Sequence, residues 1–222
     1  MRRVISHLPG TFFIYIIMVI YSGNYLLAQH SVENPELDKK VEAFLKSKKN
    51  QWRDLNVPDT DGKLLYDIII KNGYTKGLEI GTSTGHSAIW IAWAMSKTNG
   101  KLITIEISVR RYKEAIANFE EAGLSKYIDA RLANAHDLVK KLEGPFDFVF
   151  SDADKDWYTN YFIDVAPKLE AGGSFTAHNV RPLGSGGMSA TKAYLAYVMD
   201  LENFTTTVNN SGGGLAISVK NN

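Results

Sequence analysis

The sequence contains no cysteine. Disulfides, thiolate zinc sites and cysteine nucleophiles are thereby excluded, and either redox compartment is permitted. An excess of one charge is also lacking: 25 basic and 24 acidic residues leave a net of +1. That is too little for the broad basic field that nucleic-acid capture needs. Internal repeats and low-complexity tracts are missing too, and no break suggests a second domain. What is there, 222 residues of which 45% are hydrophobic and 22% charged, suits one globular domain with a substantial core.

The amino-terminus differs in kind from the rest. Arg2 and Arg3 precede an apolar run from Phe12 to Tyr21, a polar break at Ser22-Gly23-Asn24, and then Tyr25-Leu26-Leu27-Ala28-Gln29. A basic start, an apolar stretch and a small residue near the end describe an export signal, although Leu26 is large where a small residue is preferred. The run is shorter than the roughly 20 apolar residues that cross a bilayer. A helix carried through the break to Ala28 would instead make an uncleaved anchor. The chain thus divides into a leader, residues 1–29, and a domain over 30–222. Cleavage predicts an exported or periplasmic protein, retention a membrane-anchored one, and an inert leader a cytoplasmic one. Losing residues 1–29 removes two arginines and no acid, taking the net charge from +1 to −1.

From Asn34 to Lys49 the apolar residues fall at helical spacing, and a second helix contains Leu64, Leu65, Ile68 and Ile69. Short apolar runs then appear at Gly77–Ile80, Lys101–Ile105, Ile128–Leu132, Phe146–Ser151 and Gly173–Ala177. Helical segments at His86–Ser96, Arg110–Ala122, Asp137–Leu142 and Trp157–Leu169 separate them. Strands alternating with helices predict a doubly wound, Rossmann-like α/β fold with a mostly parallel sheet. Phe204–Val208 and Leu215–Val219, joined through Asn209 to Gly214, predict an antiparallel carboxy-terminal hairpin. Trp90 and Trp93, on an all-apolar helix, are expected in the core or at a subunit interface, which leaves a homodimer open.

The sharpest local signal is Leu78-Glu79-Ile80-Gly81-Thr82-Ser83-Thr84-Gly85, a strand running through glycines into a helix. The helix start offers free N–H groups and a positive dipole end to an anionic group. Glu106 ends the next strand, the right distance on for an acid that accepts hydrogen bonds from a ribose diol. The E-x-G-x-x-x-G spacing is not that of dinucleotide binders, which speaks against a nicotinamide dehydrogenase, and no phosphate-loop lysine follows. Glu79 would repel a pyrophosphate but suits the ammonium of a methionine moiety. Ser87 is placed to hydrogen-bond that moiety's carboxylate.

The segments LEIGTSTGHSAIWIA, LITIEI, FDFVFSDADKDWY and FTAHNV resemble the successive motifs of the cation-dependent catechol and caffeoyl-CoA O-methyltransferases. The resemblance runs from about Asn56 to Val219. It implies a seven-stranded sheet with an antiparallel last strand, and S-adenosylmethionine (SAM) as cofactor. The candidate cofactor contacts are Asn56, Val57, Glu79, Gly81, Ser83, Gly85, Ser87, Glu106 and Asp152, with Ala135 and His136 against the adenine.

Two further strand ends carry Ser151-Asp152-Ala153-Asp154-Lys155-Asp156-Trp157 and Ala177-His178-Asn179. Asp152, His178 and Asn179 are expected to converge on one divalent cation with oxygen and imidazole ligands. Such a metal would chelate two adjacent hydroxyls and lower their pKa. In the family an Asp-Asn pair occupies the place of His178-Asn179. An imidazole there weakens magnesium binding and favours manganese, iron or zinc. Lys155 and His178 are the candidate catalytic residues, either one as the base, and with His178 as base no metal is required. Trp157 and Tyr158 either line an acceptor pocket or pack. The glycine-rich segment from Arg181 to Met188 is expected to form a mobile loop over the acceptor.

The expected function is thus SAM-dependent methyl transfer to a hydroxyl of a small catechol-like acceptor, with metal assistance. Alternatives are methylation of a hydroxylated RNA base, which the near-neutral charge disfavours, and a non-catalytic SAM or nucleoside binder. Membrane contact is expected only through an uncleaved leader.

Overall fold

A computed structural model describes residues 32–222. The leader and its predicted fate lie outside the described residues. Helix α1 (Pro35–Ser47) starts where Asn34 Oδ1 accepts the Leu37 amide at 3.1 Å, with Pro35 in the first turn and acids beside it. Helix α2 (Asp59–Asn72) follows Pro58 and ends at Gly73 in the left-handed conformation. Strand β1 (Lys76–Ile80), helix α3 (His86–Lys97), strand β2 (Lys101–Glu106) and helix α4 (Val109–Ala122) come next, and then strand β3 (Ile128–Leu132) and helix α5 (Ala135–Lys141). Strand β4 (Phe146–Ser151) is buried along its whole length, as a strand covered on both faces must be.

The sheet order is β3-β2-β1-β4-β5-β7-β6, with β5 (Leu169–His178), β6 (Phe204–Asn209) and β7 (Leu215–Lys220) completing it. The first five strands are parallel, whereas β7 runs antiparallel to both β5 and β6. Alternation along β4 divides the core. Phe148 and Phe150 face the layer of α1–α4, and Val149 faces the layer of α5 and α6. The doubly wound fold and the terminal hairpin agree with the sequence reading.

Two boundaries do not. The helix expected over 157–169 is α6 (Tyr158–Val165) flanked by tight turns, because Pro167 removes a backbone donor and the chain must already be extended at Leu169. Helix α7 (Ser189–Met199) was not expected. Its buried positions, Thr191, Tyr194, Leu195 and Val198, do carry helical spacing. Among the described residues no helix is long and apolar enough to cross a membrane.

Trp90 and Trp93 pack with Tyr66 rather than standing free, at ring-centroid distances of 6.4 and 5.0 Å. Trp93 also donates to Asp38 at 2.8 Å.

Candidate active site

The strand order reverses between β1 and β4, so their carboxyl ends splay apart and leave a crevice, the place where ligands bind in such sheets. A cleft of about 790 Å³ lies there, lined among others by Asn56, Gly81, Ser83, Glu106, His136, Asp152, Lys155, His178 and Asn179. Residues at or after the ends of five separate strands therefore share one cavity of small-molecule size.

At one end of the cleft the loop after β1 turns at Gly81. Its φ is +102°, and an added Cβ would sit 2.7 Å from the Ala153 Cβ. Only glycine lets β1 and the segment after β4 approach this closely. Glu106 is nearly buried and held by backbone amides: Ser83 N donates to Oε2 and Ser108 N to Oε1, both at 2.8 Å. Each carboxylate oxygen keeps a further lone pair. Ser83 Oγ is buried without a partner among the described residues.

Glu79 lies behind this loop and is fully buried. Thr104 Oγ1 donates to its Oε2 at 2.5 Å. Burial pushes its carboxyl up to about 7, against the pull of the Ser87 and Thr104 hydroxyls, and Asp152 and Glu106 add to the rise.

Other predicted cofactor residues are placed differently. Gly85 has a φ of +98° and faces α4, where an added Cβ would meet the Phe119 ring at 2.6 Å, so both its backbone conformation and its packing require glycine. Val57 is buried, and its carbonyl meets His86 Nδ1 at 2.8 Å. Ser87 is buried in the first turn of α3. The Asn56 side chain is committed to that same helix start: Nδ2 donates to Thr84 Oγ1 at 2.7 Å, and Oδ1 accepts the His86 amide at 3.4 Å. Asp54, gripped by Arg111 and Arg110, anchors this loop to α4, and the two guanidiniums hold its carboxyl at about 2. Arg111 also lines the cleft, as does Ala135. His136 stacks on Trp157 with ring centroids 4.1 Å apart, and its Nε2 lies 2.8 Å from Asp154 Oδ2. Of the two aromatic candidates for an acceptor pocket, Tyr158 is fully buried core, its hydroxyl donating to the His178 carbonyl at 3.1 Å.

The other end of the cleft is a compact charge cluster. Lys155 Nζ donates to Asp152 through both its backbone carbonyl, at 2.9 Å, and Oδ1. His178 Nδ1 is 3.1 Å from the same Oδ1. Its Nε2 is 2.8 Å from Asp61 Oδ2, which also accepts the Gly213 amide at 2.8 Å. Asp61, in the first turn of α2, was not singled out from sequence. Burial alone would lower the His178 pKa, but hydrogen bonds to Asp152 and Asp61 outweigh it and raise the ring to about 9.

The cation set expected from sequence does not fit this arrangement. Both ring nitrogens of His178 face carboxylate oxygens, so neither offers a metal a lone pair. Asp152 Oδ1 already serves two cationic groups. Among the described residues no group of three or more His, Asp or Glu side chains is disposed to hold a metal ion.

The His178 shift has a consequence for stability. Its folded pKa lies above the free value of 6.5. The stabilisation is therefore complete below about pH 6.5 and is lost as pH rises through about 9. Glu79, raised to about 7, is half titrated at pH 7 and adds a fall of only about 0.4 kcal/mol, complete by about pH 8. Denaturant unfolding should show stability falling on the order of 2–3 kcal/mol between pH 7 and 9.5. The His178→Gln variant should be nearly flat over that interval. An equal slope in both proteins would mean that another group titrates.

A Rossmann-like methyltransferase fold is defined by this sheet, with its antiparallel last strand and a glycine loop and acidic strand end at the switch point. The O-methyltransferase from Bacillus cereus, solved in complex with SAH, superimposes with a TM-score of 0.68 at 24% identity, covering 85% of this chain and 92% of that one. The sequence profile of the O-methyltransferase family matches residues 28–210, and the chain belongs to that family. A catechol O-methyltransferase of Niastella koreensis is 44% identical over 107 residues, 46% of this chain and 48% of that protein, so the chain spans about half the length of this relative. A caffeoyl-CoA O-methyltransferase of Petroselinum crispum is 28% identical over 193 residues, covering 82% of this chain and 80% of that protein.

Proposed function

We propose that the chain transfers the methyl group of SAM to a hydroxyl of a small catechol-like acceptor. The observation that carries this reading is the single cleft, with Gly81, Ser83 and Glu106 at one end and Asp152, Lys155 and Asn179 at the other. The residues at the first end fit the cofactor. Glu106 has lone pairs for two ribose hydroxyls, and Ser83 Oγ is a hydroxyl with no partner among the described residues. When bound, SAM supplies an electrophilic methyl on a sulfonium.

The chain's own residues then handle the acceptor. Asp152 spends Oδ1 on Lys155 and His178, and its Oδ2 has no partner among the described residues. That oxygen would accept the acceptor's hydroxyl proton and pass it to water. The Lys155 ammonium has three donors, two of them used on Asp152. The third stabilises the negative charge developing on the acceptor oxygen. This assignment makes Lys155 a donor rather than the base considered from sequence. Asn179 offers an amide to a neighbouring hydroxyl, which favours vicinal pairs over isolated phenols.

An acceptor panel tests the reading. The full-length chain, with labelled SAM, should methylate catechol at a kcat/KM at least about tenfold above that for phenol or resorcinol, the value of one extra well-placed hydrogen bond. Equal rates on all three would remove the vicinal-hydroxyl assignment.

A further inference from the structure

We infer that Asp61, His178 and Asp152 form a closed carboxylate–imidazole–carboxylate clamp that stands in place of a divalent cation, with Asp61 as the positioning residue that holds it. The inference rests on the methyl-transfer reading for what the clamp does, but not for its existence.

The imidazole is bound on both sides. Nδ1 meets Asp152 Oδ1 at 3.1 Å and Nε2 meets Asp61 Oδ2 at 2.8 Å. Asp61 Oδ2 is itself fixed as an acceptor, since the Gly213 amide also donates to it. A carboxylate that accepts from a backbone N–H and from a ring nitrogen directs that nitrogen to carry a proton. Asp152 Oδ1, shared with the Lys155 ammonium, does the same on the other side. The ring thus acts as a fixed cation, and no lone pair remains on it for a metal.

The hairpin loop closes the clamp. A Cβ added at Gly212 would collide with Asp61 Oδ1, and one added at Gly213 would collide with His178 Nε2. Glycine at both positions lets the β6–β7 turn press directly on the carboxylate–imidazole pair, which leaves no room for an ion and its water between them. Asp61 is wholly buried and His178 only 4% exposed. A buried carboxylate of this kind persists when a charge opposes it, and here the opposing charge is the ring.

The arrangement supplies two positive groups, His178 and Lys155, on one carboxylate facing the cleft. A divalent cation would also put positive charge on that carboxylate, but it would bring its own coordination demands and exchangeable waters. An imidazolium held by two carboxylates also keeps Asp152 oriented, because both cationic groups grip Oδ1 and turn Oδ2 outward.

Three readouts on the full-length chain test this, two of which need no acceptor. Titration with Mn²⁺ followed by electron paramagnetic resonance should show no stoichiometric binding at the site, with or without SAM. The His178→Asp variant, which places a third carboxylate there, should gain Mn²⁺ affinity at least about tenfold. Nitrogen-15 NMR of the histidines near pH 7 should show protons on both ring nitrogens of His178. In Asp61→Asn that signature should be lost, with kcat falling at least about tenfold and SAM affinity held within threefold. Transfer by the parent chain should be unchanged by EDTA. One Mn²⁺ per parent chain, abolished by Asp152→Asn, would overturn the inference, as would a singly protonated His178. A chain that transfers to no acceptor but shows the doubly protonated ring and no Mn²⁺ would sink the function reading and keep the clamp.

Discussion

Asp152→Asn should lower kcat about 1000-fold while changing the SAM dissociation constant less than tenfold. The size of the effect follows from how many roles meet on one carboxylate. Oδ1 holds both Lys155 and His178, and Oδ2 is the oxygen assigned to the acceptor's proton. Asparagine preserves volume, so packing is not the cause of the loss. It removes the negative charge, and its amide nitrogen is a donor where two donors already point. Loss of one general base costs roughly 100- to 10,000-fold, and misplacing an electrostatic donor costs a similar amount. The two losses overlap because the groups act as a unit, so the sum is not expected. Steady-state kinetics with SAM and catechol both varied would separate kcat from the two KM values. A kcat within tenfold of the parent's would move the reacting centre away from Asp152.

Glu106→Ala should act at the opposite end of the cleft and in the opposite kinetic parameter. Its carboxylate receives the Ser83 and Ser108 amides at 2.8 Å each, and it is proposed to receive the ribose hydroxyls. Hydrogen bonds to a charged group contribute about 1.5–3 kcal/mol each. Losing two of them, and with them the anchor of the Ser83 turn, should raise the SAM dissociation constant on the order of 100- to 1000-fold. With SAM saturating, kcat should stay within tenfold, because Glu106 touches no reacting atom. Glu106→Gln keeps one acceptor oxygen and should cost about tenfold in the same constant. Calorimetric titration of SAM into the three proteins reads this directly. A Glu106→Ala dissociation constant within threefold of the parent's would detach the cofactor from the end of β2.

The contrast between these two sites also marks what the sequence could carry. The place of Glu106 on the cleft was legible because it depends on local order: a strand, a glycine turn, a helix, and an acid at the end of the next strand. The same holds for Asp152 and His178, each at the end of an apolar run whose burial can be read from composition alone. Asp61 was not legible. It sits 117 residues from His178, in the first turn of α2, where an acid reads as favourable to the helix dipole and nothing more. Only the tertiary fold sets the first turn of α2 beside the end of β5, and Gly213 joins them from 152 residues beyond Asp61. The second carboxylate on the His178 ring was illegible for the same reason. Asp152, His178 and Asn179 looked like a ligand set so long as the second carboxylate on the ring was unknown.

Gly85 shows the converse. Its place in the loop motif pointed to a ligand, and the structure adds two demands for glycine that the motif did not show, a φ of +98° and the contact with Phe119. Helix α7 could have been found from the spacing of Thr191, Tyr194, Leu195 and Val198. The glycine-rich stretch before it drew the reading toward a loop, and part of that expectation survives in Met188, which reaches the cleft just ahead of the helix.

The most direct test of the account is the transfer itself. Full-length chain would be incubated with catechol and SAM carrying a carbon-13 methyl, and the products followed by NMR and mass spectrometry. The account predicts a new O-methyl carbon signal on mono-methylated catechol, with an equal amount of S-adenosylhomocysteine. Bound SAM that yields neither product, across catechol and related vicinal diols, would contradict it and leave a cofactor-binding protein without this reaction.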